Sequence, residues 1–131
     1  MKEFKNFYRF MTFKDNEVVW YKDSYERHCE KHYEIARLEG RNDIQDALIS
    51  PDIISRADQK YNNGKIKAKI KIYRKIIGIV KTSRGKEKKY WEIILKTKLK
   101  RKKFKIVTAY ITTALEYAII NDRIEKIEYK K

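Results

Sequence analysis

The chain has 131 residues, and 33 Lys and Arg against 18 Asp and Glu give it a formal charge of +15; a length of this order bounds it to one domain. With 42% hydrophobic residues it can bury a core, which excludes wholesale disorder despite 39% charged residues, while four Gly and one Pro exclude collagen-like and linker-rich classes. The single cysteine, Cys29, excludes an internal disulfide and suits a reducing compartment, no stretch approaches the roughly 18 apolar residues of a membrane span, and Lys2, Lys5, Arg9 and Lys14 break up the N-terminal run where a secretory signal would be apolar. A cytoplasmic protein with no membrane partner is therefore expected.

In chain order, Phe4 to Phe13 and Val18 to Tyr21 read as a hairpin. Asp23 followed by Glu26 has the spacing of a capping box, and Tyr25, Cys29, His32 and Ala36 recur at helical spacing until Gly40, which predicts a first helix. Asn42 and Gln45 repeat the cap, Ile44, Ala47 and Leu48 form an apolar stripe, and Pro51 stops a second helix. After the Asn62-Asn63-Gly64 turn the period switches to two: Ile66, Ala68, Ile70 and Ile72 alternate with Lys65, Lys67, Lys69, Lys71 and Tyr73. Ile76 to Val80 reads as a second strand, with a turn or loop at Ser83-Arg84-Gly85. Beyond it Trp91, Ile93, Leu95 and Leu99 face one way, and Tyr90, Glu92, Ile94, Lys96 and Lys98 the other. Lys96 to Lys105 reads as two strand ends around a turn. Phe104 to Thr112 is a further strand with Thr108, Tyr110 and Thr112 on one face, Ala114 to Ile120 a short helix, and Arg123 to Tyr129 an edge strand. The fold expected is α+β, with two N-terminal helices packed on one face of a mostly antiparallel four- to five-stranded sheet. It forms a single domain over 1–131, with a core at 22–113 and extensions at 1–21 and 114–131.

Charge is divided unequally. Residues 1–64 hold 11 basic and 12 acidic side chains, whereas 65–131 hold 22 and 6, so the whole surplus is C-terminal. Such a field attracts polyanions by counterion release, which puts nucleic acid first among partners, ahead of acidic protein or anionic membrane. If the helices cover one sheet face, the other presents Lys65 to Lys71, Tyr73, Tyr90, Lys96, Lys98, Thr108, Tyr110 and Thr112. Lysines for phosphates and tyrosines for stacking suit single-stranded or looped RNA, though the same residues also serve as a solvated strand face.

The two histidines, His28 and His32, share one helix face by their i,i+4 spacing. The run His28-Cys29-Glu30-Lys31-His32 lacks the HExxH order, and no downstream Cys or His cluster completes a metal site, so no metal is assigned. Half-buried packing at a helix edge is a second reading. A third is RNA cleavage without metal, in which histidines carry both proton transfers while cations and hydroxyls hold the extra charge of the transition state. No phosphate-binding glycine motif or Ser-His-Asp spacing occurs, and Glu26, Glu30 and Glu34 read as a solvated ladder.

The order of features, His28-x3-His32, then Ser50-Pro51-Asp52-Ile53-Ile54, a Tyr-bearing strand and Val107-Thr108-Ala109-Tyr110-Ile111-Thr112, resembles the barnase, EndoU, colicin and RelE-like superfamily of metal-independent nucleases, in its phage and toxin branch. The resemblance spans about Tyr25 to Thr113. It implies a toxin-type endoribonuclease without cofactors that cleaves tRNA, mRNA or rRNA to a 2′,3′-cyclic phosphate, and a small acidic antitoxin or immunity protein as partner. It marks His28, His32, Thr108, Tyr110 and Thr112 as catalytic. RNA contacts are expected from Lys67, Lys69, Lys71, Tyr73, Arg74, Arg84, Lys96 and Lys98. Two departures stand out: Tyr33 replaces the usual Pro after the second histidine, and Arg74 to Lys89 is longer than the usual hairpin. The alternative is a basic RNA- or DNA-binding protein without catalysis.

Overall fold

In the computed structural model, which describes residues 2–3, 6–14, 16–32, 38–98, 103–113 and 126–131, the chain opens with strands and not with helices. Strands β1 (Lys2–Glu3), β2 (Phe7–Met11) and β3 (Glu17–Tyr21) precede helices α1 (Lys22–Lys31) and α2 (Leu38–Ile49). They are followed by β4 (Ile53–Arg56), β5 (Gln59–Lys60), β6 (Ile66–Thr82), β7 (Gly85–Lys98), β8 (Phe104–Thr113) and β9 (Lys126–Lys130). All nine strands join one curled half-barrel sheet ordered β1-β2-β3-β8-β7-β6-β4-β9, with β5 also on β6. This corrects the expected fold: the helices are not N-terminal, and the sheet is larger than four or five strands and mixed, because β3 runs parallel to β8 through Val18–Phe104 and Val19–Lys105.

The local reasons are specific. Helix α1 continues directly from β3, and its N-cap is Tyr21, so the Asp23 capping box does not form. Ser24 Oγ instead accepts the indole N–H of Trp20 at 3.2 Å. Gln45 does not cap a helix at Asn42 either. Its amide donates to Met11 O (2.9 Å) and accepts Met11 N–H (3.2 Å), tying α2 to the β2–β3 hairpin, and α2 begins four residues earlier than Asn42. The strands expected at Ile66–Tyr73 and Ile76–Val80 are one 17-residue strand, since Arg74 and Lys75 stay in register with Glu92 and Trp91. The helix expected at 114–120 and the turn at 99–102 lie outside the described residues.

Ile44, Ala47 and Leu48 of α2 form the core with Phe10, Val18, Trp20, Ile54, Tyr73, Trp91, Ile93, Leu95, Ile106 and Ala109. Each large aliphatic side chain removed from water there contributes roughly 1.5–3 kcal/mol. Ile106 and Ala109 reach the same face, although three positions apart, because a bulge places Thr108 opposite Ile94 and Ile106 opposite Leu95, leaving Val107 as the extra residue.

At the β6–β7 turn Gly85 has φ +105°, a conformation that costs other residues about 1–2 kcal/mol. Gly85→Ala is expected to speed amide exchange at the tip of this hairpin about tenfold, a factor that corresponds to about 1.4 kcal/mol of local opening, while leaving global unfolding unchanged. Hydrogen–deuterium exchange beside thermal denaturation checks this, and a lowered midpoint would mean that the tip unfolds with the core.

Candidate active site

Where β3 ends, α1 takes its place beside β8 and carries both histidines toward that strand. Trp20 packs edge-on against Tyr25 (5.2 Å) and against His28 (5.8 Å). From there the rings stack: His28 on His32 at 5.9 Å and 24°, and His32 on Tyr110 at 5.7 Å and 25°. His32 is the C-cap of α1, its N–H donating to His28 O at 2.8 Å. Both histidines are half-exposed.

Behind Tyr110 lies a buried polar row. Arg74, Glu92 and Tyr110 sit side by side on three adjacent strands. The Tyr110 hydroxyl donates to Glu92 Oε2. Glu92 Oε1 accepts Arg74 Nε at 2.7 Å, and Arg74 Nη1 donates to Ser55 Oγ at 3.2 Å. Both charged side chains are 0% exposed. A buried carboxylate bound by a guanidinium and a phenol fixes the Tyr110 ring, and through it the surface on which His32 stacks.

His28 Nδ1 lies 3.3 Å from Ser24 O. A carbonyl only accepts, so this nitrogen donates, and the neutral ring keeps Nε2 as its lone-pair site. Burial is the main cause that holds the His28 pKa below 6.5; the Ser24 carbonyl opposes it, and the positive charges of His32, Lys31 and Arg27 push it further down. Replacing Arg27 and Lys31 together with glutamine is expected to raise this pKa toward 6.5. A ring-proton NMR titration reads the shift directly, and an unmoved midpoint would show that those cations are screened.

Of the three hydroxyls expected on β8, Tyr110 alone stacks on a histidine. Thr108 is half-exposed on the same face, but Thr112 is only 2% exposed beside Tyr90, so it cannot present its hydroxyl to a substrate. The basic residues divide in the same way. Register places Tyr73 opposite Ile93 and Lys71 opposite Leu95, so the row Lys67, Lys69, Lys71 belongs to the core-facing side of β6, away from Tyr110. Lys67 and Lys69 are exposed there, and Lys71 pairs with Glu128 at 3.4 Å. Tyr73 and Arg74 are buried and do not offer RNA contacts. Arg84 is exposed at the far end of the β6–β7 hairpin. Lys96 is half-exposed on the Tyr110 side; Lys98 closes β7, its side chain outside the described ones.

Two residues of the site escaped the sequence reading. Glu92 was one of only two acidic residues between Lys65 and Thr113, set inside the apolar run Tyr90 to Leu95, and that was its signal. Lys105 pairs with Lys96 on the Tyr110 side, which the bulge at Val107 alone decides. Among the described residues no three His, Cys, Asp or Glu side chains gather as metal ligands would, and no helix is long and apolar enough to cross a membrane. No protein-family model, curated protein or solved structure matches this chain.

Proposed function

We propose that the chain is a metal-independent endoribonuclease of the toxin type, acting on cytoplasmic RNA. The observation that supports it is the stack of His28, His32 and Tyr110, held from behind by the buried Glu92–Arg74 pair. In this reading His28 Nε2 takes the proton of a ribose 2′-hydroxyl, the 2′-oxygen bonds to the adjacent phosphorus, and the bond from phosphorus to the 5′-oxygen breaks as His32 in its protonated form gives that oxygen a proton. The products are a 2′,3′-cyclic phosphate and a free 5′-hydroxyl. A lowered pKa keeps His28 neutral at pH 7, as a base must be. Lys96 and Lys105, on the same side of β7 and β8, supply positive charge for the transition state. An acidic inhibitor protein that covers this surface belongs to the same reading.

The exposed Lys67 and Lys69, on the other side of the sheet from Tyr110, favour a second reading in which the chain holds RNA without cutting it. Incubating the purified protein with total tRNA and a structured mRNA in EDTA, followed by 3′-end analysis, separates the two. Discrete fragments ending in cyclic phosphate support the nuclease, whereas intact RNA shifted on a native gel supports the binding protein.

A further inference from the structure

Among the described residues, β6 and β7 run on past the middle of the sheet without their neighbours. Strand β4 pairs with β6 only as far as Arg74 and β8 with β7 only as far as Lys89, while β6 and β7 stay paired from Gly78–Lys89 out to Thr82–Gly85. Five registered pairs at about 3.4 Å per residue make a two-stranded arm about 15 Å long. Its base is anchored, since Asp52 Oδ2 accepts Ile76 N–H at 2.7 Å and Asp52 N–H donates to Arg74 O at 2.9 Å. Its tip is ordered by Thr82 Oγ1, which accepts Arg84 N–H at 3.2 Å.

The arm's chemistry does not suit a merely solvated edge. Residues 75–89 contain six basic side chains and one acidic, Glu87. Lys81 stands directly opposite Lys86, a like-charge pair that destabilises an isolated ribbon. On the same side Ile79 stands opposite Lys88 and is 67% exposed, with Ile76 and Ile77 also exposed nearer the base. Solubility alone calls for lysine and not for isoleucine at such positions. A partner that answers both features carries closely spaced negative charges on either side of a shallow, less polar floor. The minor groove of an A-form RNA helix has that form: wide, shallow, floored by ribose and base edges and bordered by phosphates.

We infer that the arm is a docking element for a double-stranded RNA segment, distinct from the histidine site. Ile79 lies against the groove floor, and Lys81, Arg84, Lys86 and Lys88 meet the flanking phosphates, which relieves the repulsion between Lys81 and Lys86. The inference rests on the reading of RNA as the ligand, but not on cleavage. Its consequence is selection of substrates by a helical element outside the cut strand.

The test is anisotropy of a fluorescein-labelled RNA stem-loop with the full chain, in a His28→Ala, His32→Ala background so that cleavage does not intrude, at several salt concentrations. Replacing Lys81, Arg84, Lys86 and Lys88 with glutamine is expected to weaken stem-loop binding at least tenfold and to lower the log–log salt slope by about 3.6, near 0.9 for each of four duplex phosphates that are no longer neutralised. Ile79→Ser should weaken binding severalfold with the slope unchanged, because an apolar contact releases no counterions. Binding by the parent with unchanged affinity and slope in the glutamine variant would overturn the inference and leave the RNA reading standing. No binding by the parent would overturn both. Equal losses on an unstructured single strand would remove the duplex preference, and retained RNA affinity with lost binding of polyglutamate would assign the arm to an acidic protein instead.

Discussion

Arg74→Met is expected to destabilise the fold by about 3–5 kcal/mol, because it leaves the Glu92 carboxylate buried without its countercharge. Arg74 and Glu92 are both fully buried, and the guanidinium also satisfies Ser55, so no water can replace what is lost. A domain of this size has about 5–15 kcal/mol of stability in all, so the single variant should unfold at a much lower urea concentration or not accumulate as folded protein. The double variant Arg74→Met, Glu92→Leu removes both charges and should recover most of the loss, since an apolar pair of similar volume costs little in place of a buried ion pair. Urea unfolding of the two variants beside the parent makes the comparison. Equal midpoints for the parent and the Arg74 variant would show that water reaches the pair. The double variant also removes the Glu92 carboxylate to which the Tyr110 hydroxyl donates, so a stable fold with a loosened His32 stack would separate stability from the geometry of the site.

His28→Ala and His32→Ala should each lower RNA cleavage by about 10²- to 10⁴-fold, the range of a lost general acid or base. The double variant should fall little further than the worse single one, because two groups that move one proton set are not independent. Full activity in the double variant would remove both residues from the mechanism, leaving them as packing on Trp20 and Tyr110. pH gives a second reading of the same pair. A base must be unprotonated, and the His28 pKa is held below 6.5, so the acidic limb of the rate profile should have its midpoint below 6.5, with activity lost as pH falls through it. The corresponding effect on stability has a definite sign. The unfolded chain takes up this proton at a higher pH than the folded one, so the fold loses stability as pH falls from about 6.5 toward the lowered value, and the loss should shrink in His28→Gln. If the limb instead stays in place in a weakly active His28 variant, another group is the base.

Much of the chain's plan was legible in its residues. Alternation from Ile66 to Tyr73 and from Tyr90 to Lys96 marked strands, because a half-buried sheet repeats every two residues whatever surrounds it. The Asn62-Asn63-Gly64 turn is present, with Gly64 at φ +84° and its N–H bonded to Tyr61 O at 3.0 Å. The hairpin before α1 is present as β2 and β3. The helix boundaries were not legible. Helix α1 continues from β3 with Tyr21 and not Asp23 as its N-cap, Gly40 lies inside α2 instead of ending the first helix, and Met11 took the Gln45 amide; each of these depends on where the fold places β2 and β3.

The sequence by itself determined where the charge lies, which residues could carry proton transfer, and that His28 and His32 share a helix face, since these follow from composition and from 3.6 residues per turn. Tertiary structure alone decided which groups meet. Alternation says that Ile70 and Ile72 share a side, and that Trp91 and Ile93 share a side, but not whether these are the same side. Register sets Ile72 opposite Ile94 and Tyr73 opposite Ile93, so the two sets face apart, and the lysine row parts from Tyr110. A single extra residue at Val107 then turns Lys105 toward the histidine side. One step of register or one bulge reverses every side chain beyond it. The energy that chooses the step is the burial of the core around Ile93 together with the pairing of Arg74 with Glu92, which a shifted register would leave as unpaired buried charges and which no stretch of the chain contains alone.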